Sequence, residues 1–302
     1  MPISLIIAVA LLVLLSFSSF FFAAKVIYPK VLSLEETRIS EIENKRYDEA
    51  EYNQWQRNEF TISSPLGYEL ACAYFPLEGA QKTIILSHGI TWSRYGSIKY
   101  MPIFRKRGFN ILIYDLRNHG LSGGENTTFG LYEKFDLQIL VDWAFQQLDE
   151  NGIVGTHGES LGAATTLQHA AIDKRISFAI ADCPFSDLTE LLEHRFKADY
   201  HLPVFPLLNL ASLICKLLAN MDFKSVSPIR DIPAITTPIF WIHGQDDDYV
   251  PPIMSKNMYD AKINGVRKIY LAPNTDHAKS QINNPAEYDQ QIGAFLEEIN
   301  LA

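Results

Sequence analysis

At 302 residues, with 47% hydrophobic side chains, the chain has material for a large core in one large domain or two modest ones, and is too apolar to be disordered. A formal net charge of −9 argues against a nucleic-acid partner, which needs a clustered basic face to displace counterions. Cys72, Cys183 and Cys215 are odd in number and far apart, so they outline neither a disulfide framework nor a zinc site and read as core residues; no metal or cofactor motif, internal repeat or signal of oligomeric state accompanies them.

From Pro2 to Ala24 the run PISLIIAVALLVLLSFSSFFFAA carries no charge. As a helix it would reach about 34 Å at roughly 1.5 Å per residue, enough to cross a bilayer, so residues 1–24 are expected to form a single transmembrane anchor. A cleaved signal peptide, which would make the protein secreted, fits less well. No basic residue precedes the run, and cleavage after Ala24 or Ala23 puts Phe22 or Phe21 where signal peptidase wants a small side chain. Lys25 and Lys30 follow the span and favour a cytoplasmic domain, with Glu35 and Glu36 nearby weakening the vote.

Residues 25–58 hold SLEETRISEIENKRYDEAEYNQWQRN, charged enough to read as a solvated helical stalk, with Tyr47, Tyr52 and Trp55 as contacts back to the domain. From Glu59 the pattern changes. EFTIS and YELACAYF form an expected hairpin about Pro65, Leu66 and Gly67, and KTIILS follows as a short buried strand. Helical and strand signals then alternate: SIKYMPIFRKRG before FNILIYD, LYEKFDLQILVDWAFQQLD before GIVGTH, and LGAATTLQHAAI before ISFAIAD. PIFWIHG and VRKIYLA are later strands separated by PPIMSKNMYDAKI, and PAEYDQQIGAFLEEI closes the pattern as an amphipathic helix. Short apolar strands alternating with helices imply a mainly parallel sheet covered on both faces, with the hairpin as an antiparallel edge.

Two features interrupt this rhythm. VGTHGESLGAATT sets Ser160 between glycines at the junction of a strand and a helix, the pattern of a nucleophile elbow. There a serine takes a strained backbone, and Gly158 and Gly162 leave room where a Cβ would clash. The segment 188–230 is helical, rich in Leu and Phe, and broken by Pro203 and Pro206. It is either an extra helical layer of the core or, lying after the sixth strand, a lid over the C-terminal sheet edge where open α/β folds bind ligands.

An elbow serine needs a base and an acid. His88 and His243 sit before glycine at strand ends, His119 in a loop, His157 in the elbow strand, His169 on its helix, and His194 and His201 in the inserted segment. His277, in APNTDHAKS after the last strand, stands where a serine-first hydrolase carries its base. WIHGQDDDYVPP offers Asp246, Asp247 and Asp248 as the acid, without the spacing of a calcium loop; Asp182 and Asp187 after the sixth strand are the less favoured alternatives. Asp115, Arg117 and His119 in YDLRNHGLSGG read as a turn held by side-chain hydrogen bonds rather than a second cluster, and Glu159 is either a buried partner or a tuner of the site.

HGQDDDYVP resembles the HGxxDxxVP turn of the α/β-hydrolase fold serine hydrolases. With GESLG, LSHGI and YDLRNHGLSGG in the right order, the chain from about Phe60 onward is similar to the branch that includes prolyl-oligopeptidase-type catalytic domains and membrane-anchored bacterial hydrolases. The resemblance implies an α/β-hydrolase fold over 59–302, with a mainly parallel eight-stranded sheet, helices on both faces and a helical lid. Its register selects Asp247 and implies a triad of Ser160, Asp247 and His277. The N–H groups of Leu161 and Ile90 would form the oxyanion hole, with Thr91 as a substitute for Ile90. Ala163 departs from the glycine that many members carry there.

The expected activity is hydrolysis of carboxylic esters or thioesters through an acyl-enzyme, the apolar insert and the lipid-side tether favouring a small-molecule or lipid-like hydrophobic acyl substrate. A prolyl-oligopeptidase-type peptidase is the enzymatic alternative, and a non-catalytic binding protein on the same fold the alternative from another class. Because the span contributes no triad residue, a chain starting near Glu35 is expected to be soluble and still active on a small ester.

Overall fold

The structure is a computed structural model and describes residues 2–46 and 48–301, so the contact expected at Tyr47 lies outside the described residues. Eight strands form one sheet in the order β1-β2-β4-β3-β5-β6-β7-β8: β1 Asn58–Ser63, β2 Glu69–Phe75, β3 Lys82–Ser87, β4 Phe109–Tyr114, β5 Ile153–Glu159, β6 Phe178–Asp182, β7 Ile239–Gly244 and β8 Arg267–Ala272. β1 pairs antiparallel with β2 and β2 antiparallel with β4, and every other pairing is parallel. The central strands are buried along their whole length, FNILIY of β4 and IFWIHG of β7 among them, as a sheet covered on both faces requires.

The helices in chain order are α1 Ile3–Ile27, α2 Leu34–Glu43, α3 Glu49–Gln54, α4 Met101–Arg105, α5 Glu133–Gln146, α6 Leu161–Ala170, α7 Leu188–Tyr200, α8 Leu207–Ala219, α9 Pro228–Asp231, α10 Ile253–Ala261, α11 Ser280–Asn283 and α12 Pro285–Glu298. On one sheet face Leu140, Val141, Leu167 and Trp241 belong to a core that continues into α7, α8 and the end of α1. On the other face Phe104, Phe178, Phe240 and Phe295 close a second core with Tyr52. The chain visits β3, crosses to β4 on one side and then returns to β5 on the other. Ser160 follows β5 at this reversal of strand order, where open α/β sheets form their ligand crevice.

Two regions differ from the sequence expectation. The stretch 25–58 is a docked layer rather than a solvated stalk: α2 and α3 lie on the body with Thr37 and Glu41 buried, while Tyr52 and Trp55 make the expected contacts back to the domain. Ser33 caps α2 in a reciprocal capping box with Glu36, and Asp48 caps α3, so local signals set both helices while burial of one face docks them. The N-terminal helix also runs past residue 24 to Ile27, and its end is buried: Phe22, Ala23, Val26 and Ile27 pack inward while Leu11, Leu12 and Phe17 stay exposed.

Candidate active site

Ser160 takes φ 52° and ψ −111°, a strained conformation for a residue with a Cβ, at the turn between β5 and α6. Its N–H donates to the Asp182 carbonyl at 2.8 Å and its carbonyl accepts from Ala164 N–H at 3.0 Å, so the turn is held from both sides. The flanking glycines explain the motif. A Cβ on Gly158 would lie 2.1 Å from the Gly162 carbonyl oxygen, and one on Gly162 would lie 2.2 Å from the Ser87 carbonyl oxygen.

The structure brings Ser160, His277 and Asp247 together. His277 Nε2 is 2.9 Å from Ser160 Oγ, and His277 Nδ1 is 2.7 Å from Asp247 Oδ2. Asp247 lies buried in the loop after β7, while Asp246 and Asp248 on either side are exposed. Its Oδ1 accepts the N–H groups of Tyr249 at 3.0 Å and Val250 at 2.8 Å, and His243 Nε2 lies 3.1 Å from Oδ2. Burial alone would push this carboxyl up; the hydrogen bonds from His243 and His277 outweigh it and hold the group well below the usual carboxylate range. His243 is itself fixed by Ser255 Oγ at 2.7 Å and the Val250 carbonyl at 2.8 Å. The loops carrying Asp247 and His277 are tied by Asp246 N–H to the Thr275 carbonyl at 3.0 Å.

The other titratable groups weighed from sequence sit elsewhere. Asp182 faces Tyr288 and Tyr100, and Asp187 caps α7, so neither is bonded to His277. Asp115 accepts N–H bonds from Arg94 at 2.7 Å and Leu121 at 3.0 Å, and His119 Nδ1 bonds the Arg117 carbonyl at 2.8 Å, as in a structural turn. Glu159 is a buried partner: its Oε2 lies 2.6 Å from Lys99 Nζ and accepts from Tyr100. Ile90, Thr91 and Leu161 all line the same cavity as Ser160, and of these the N–H of Thr91 goes to His119 Nε2 at 3.3 Å.

Ser160 opens into a cavity of about 250 Å³ walled by Phe129, Phe185, Leu191, Phe196 and Leu208. Helices α7 and α8 of the inserted segment supply much of that wall, and Arg195 and His194 tie α7 to the acid loop through the Asp248 carbonyl at 3.3 and 2.8 Å. A second cavity of about 330 Å³, lined by Arg46, Trp55, Lys99 and Gln281, is more polar and does not reach Ser160.

Three elements of the site escaped the sequence reading. Cys183, expected as an ordinary core residue, places its Sγ 4.0 Å from His277 Nε2 while burial raises its thiol well above the ordinary range. Lys99, paired with Glu159, and the buried Glu41 near it form a floor behind the elbow, and no local pattern separates such residues from solvated ones. Phe22, Lys25, Val26 and Pro29, in or just after the N-terminal helix, line the cavity. The bulky Phe22 is the signal the sequence offers, though nothing local to it shows which surface the ring meets.

A mainly parallel eight-stranded sheet with its serine turn at the reversal of strand order makes this a serine hydrolase of the α/β-hydrolase fold. The chain belongs to the family described as X-Pro dipeptidyl-peptidase (S15 family), whose model matches residues 36–200. It is 38% identical over 251 residues to the uncharacterized protein YqkD of Bacillus subtilis (strain 168), covering 82% of each chain. It is 25% identical over 190 residues to lysophosphatidylserine lipase ABHD12 of Danio rerio, covering 61% of this chain and 48% of that one. Among solved structures, the Pyrococcus furiosus esterase Pf2001 shares the fold with a TM-score of 0.69 at 23% identity, over 83% of this chain and 96% of that one.

Proposed function

We propose that the protein hydrolyses carboxylic esters or thioesters of hydrophobic acyl groups, with Ser160 as nucleophile, His277 as base and Asp247 as the acid that orients it. The observation carrying this reading is the unbroken hydrogen-bonded line from Ser160 Oγ through His277 to Asp247, opening onto an apolar cavity. His277 takes the Ser160 proton as Oγ attacks the acyl carbon, and returns it to the leaving alcohol or thiol as the tetrahedral intermediate collapses. Water, deprotonated by the same imidazole, then releases the acid. Asp247, kept ionised, fixes Nδ1–H and stabilises the imidazolium. The N–H groups of Leu161 and Ile90 would hold the oxyanion, since the N–H of Thr91 is engaged by His119.

The family match favours a second reading, a peptidase acting on X-Pro peptides. Such a site must hold a peptide's α-amino group. Asp199, the carboxylate on the cavity wall among the described residues, is already paired with Arg195. The name of the Danio rerio relative, a lysophosphatidylserine lipase, fits a lipid-like ester better. So does the surface: Leu213, Leu217 and Leu218 of α8 are exposed beside α1, whose apolar length suits a membrane span. We read α1 as a retained anchor that keeps the domain at a bilayer.

Full-length protein in detergent, offered p-nitrophenyl esters from acetyl to dodecanoyl, acyl thioesters and X-Pro p-nitroanilides, is expected to turn over the esters and thioesters, with kcat/KM rising as the acyl chain lengthens. Faster release from the X-Pro anilides would overturn the assignment.

A further inference from the structure

The end of the N-terminal helix enters the site from the side. Phe22 stacks edge-on against Phe196 and Tyr200 of α7 with ring centroids 4.8 Å apart in both pairs, and Lys25 Nζ donates to Tyr200 Oη at 2.9 Å. Cys215 of α8 donates to the Ala23 carbonyl at 3.6 Å. The chain leaving the helix is also held. The Ile27 carbonyl accepts from Thr127 N–H at 2.9 Å, and Leu32 N–H donates to the Thr91 carbonyl, beside Ile90, at 2.8 Å. Phe22 and Val26, one turn apart on the same helix face, are 7% and 9% exposed, against 62% for Leu12 on the bare length of the helix. Their side of the helix belongs to the wall of the Ser160 cavity.

We propose that Phe22 and Val26 of the N-terminal helix set the acyl-chain specificity of the enzyme, so that the helix is a wall of the binding pocket as well as an anchor. This rests on the reading of Ser160 as the nucleophile and of the apolar cavity as the acyl site. A leader that was cut away after Ala23 or Ala24 would carry Phe22 with it and leave Phe196 and Tyr200 without the ring they pack against. Removing the segment would thus change the pocket itself, so a chain starting near Glu35, expected to be soluble and active on a small ester, would differ from the full-length enzyme in its preference for long acyl chains.

The test uses the full-length chain in detergent and the ratio of kcat/KM for a dodecanoyl ester to that for an acetyl ester. Val26→Trp fills the wall and is expected to lower this ratio about tenfold or more, since even one methylene in an apolar pocket is worth roughly ten- to two-hundredfold. Phe22→Ala opens the wall and should raise the ratio, while Leu12→Trp on the bare length leaves it as in the wild type. Labelling of wild-type Ser160 by a small fluorophosphonate reports separately on the nucleophile. A wild type that labels, with Val26→Trp and Phe22→Ala keeping its chain-length profile, overturns the proposal. Should Val26→Trp fail to fold, the Phe22→Ala ratio decides alone.

Discussion

Two buried carboxylates, one ending β6 and one just after β7, lie on the same side of the β5 strand that leads into Ser160, and their environments drive them in opposite directions. Asp247 receives N–H groups from Tyr249, Val250 and His277 and is held well below the usual carboxylate range despite its burial. Asp182, one strand away, is pushed up to about 7 by burial and by the nearby Glu159, with Lys99 and hydrogen bonds from Tyr288 and Tyr100 pulling only part of the way back. Glu41, on α2 behind the elbow, is raised to about 7 chiefly by burial. Depth is common to all three. What distinguishes Asp247 is the number of donors turned toward it, and that difference separates a group that keeps its charge beside His277 from groups that form a floor.

The comparison breaks most visibly in catalysis. Asp247→Asn keeps the shape but removes the acceptor that fixes the imidazole tautomer, and should lower kcat by about 10⁴, the size of the effect in a related triad. Asp182→Asn, at a side chain that bonds Tyr100 and Tyr288 rather than His277, should cost far less in the same assay. Equal losses would show that the floor takes part in the chemistry.

A smaller effect sharpens the same contrast through pH. A carboxyl whose folded-state pKa lies above its unfolded value favours the native state at low pH, and that contribution is lost as pH rises through the folded value. For Glu41, with an ordinary value of 4.5 and a folded value of about 7, the loss falls between those two limits. The melting temperature should therefore decline from pH 5 to pH 8, and Glu41→Gln, neutral throughout, should make that decline shallower. A steeper or unchanged slope would show that Lys99 and Arg46 already keep Glu41 ionised.

What the sequence disclosed followed from local physics. Strand runs such as FNILIYD and PIFWIHG declare themselves because a covered parallel strand is apolar on both faces, and GESLG does so because a Cβ at position 158 or 162 would collide with backbone. The carboxylate that meets His277 was narrowed to three adjacent aspartates, and the resemblance supplied the register that points to the buried one. Tyr52 and Trp55 were expected to touch the domain and do, but the burial of Thr37 and Glu41 on α2 and the entry of Phe22 and Val26 into the cavity were not legible in this way. They depend on contacts between segments far apart in the chain: Phe22 meets Phe196, and Glu41 lies near Lys99. Charge density around Glu41 looked like a solvated surface because no local period marks an ion paired at long range.

The proposed hydrolysis depends above all on Ser160 as the nucleophile. Full-length protein treated with a fluorophosphonate and digested for peptide mass spectrometry should carry one adduct, on the peptide containing Ser160, and Ser160→Ala protein with an unchanged melting temperature should carry none. An adduct on another residue, or labelling that persists in the Ser160→Ala protein, would contradict it.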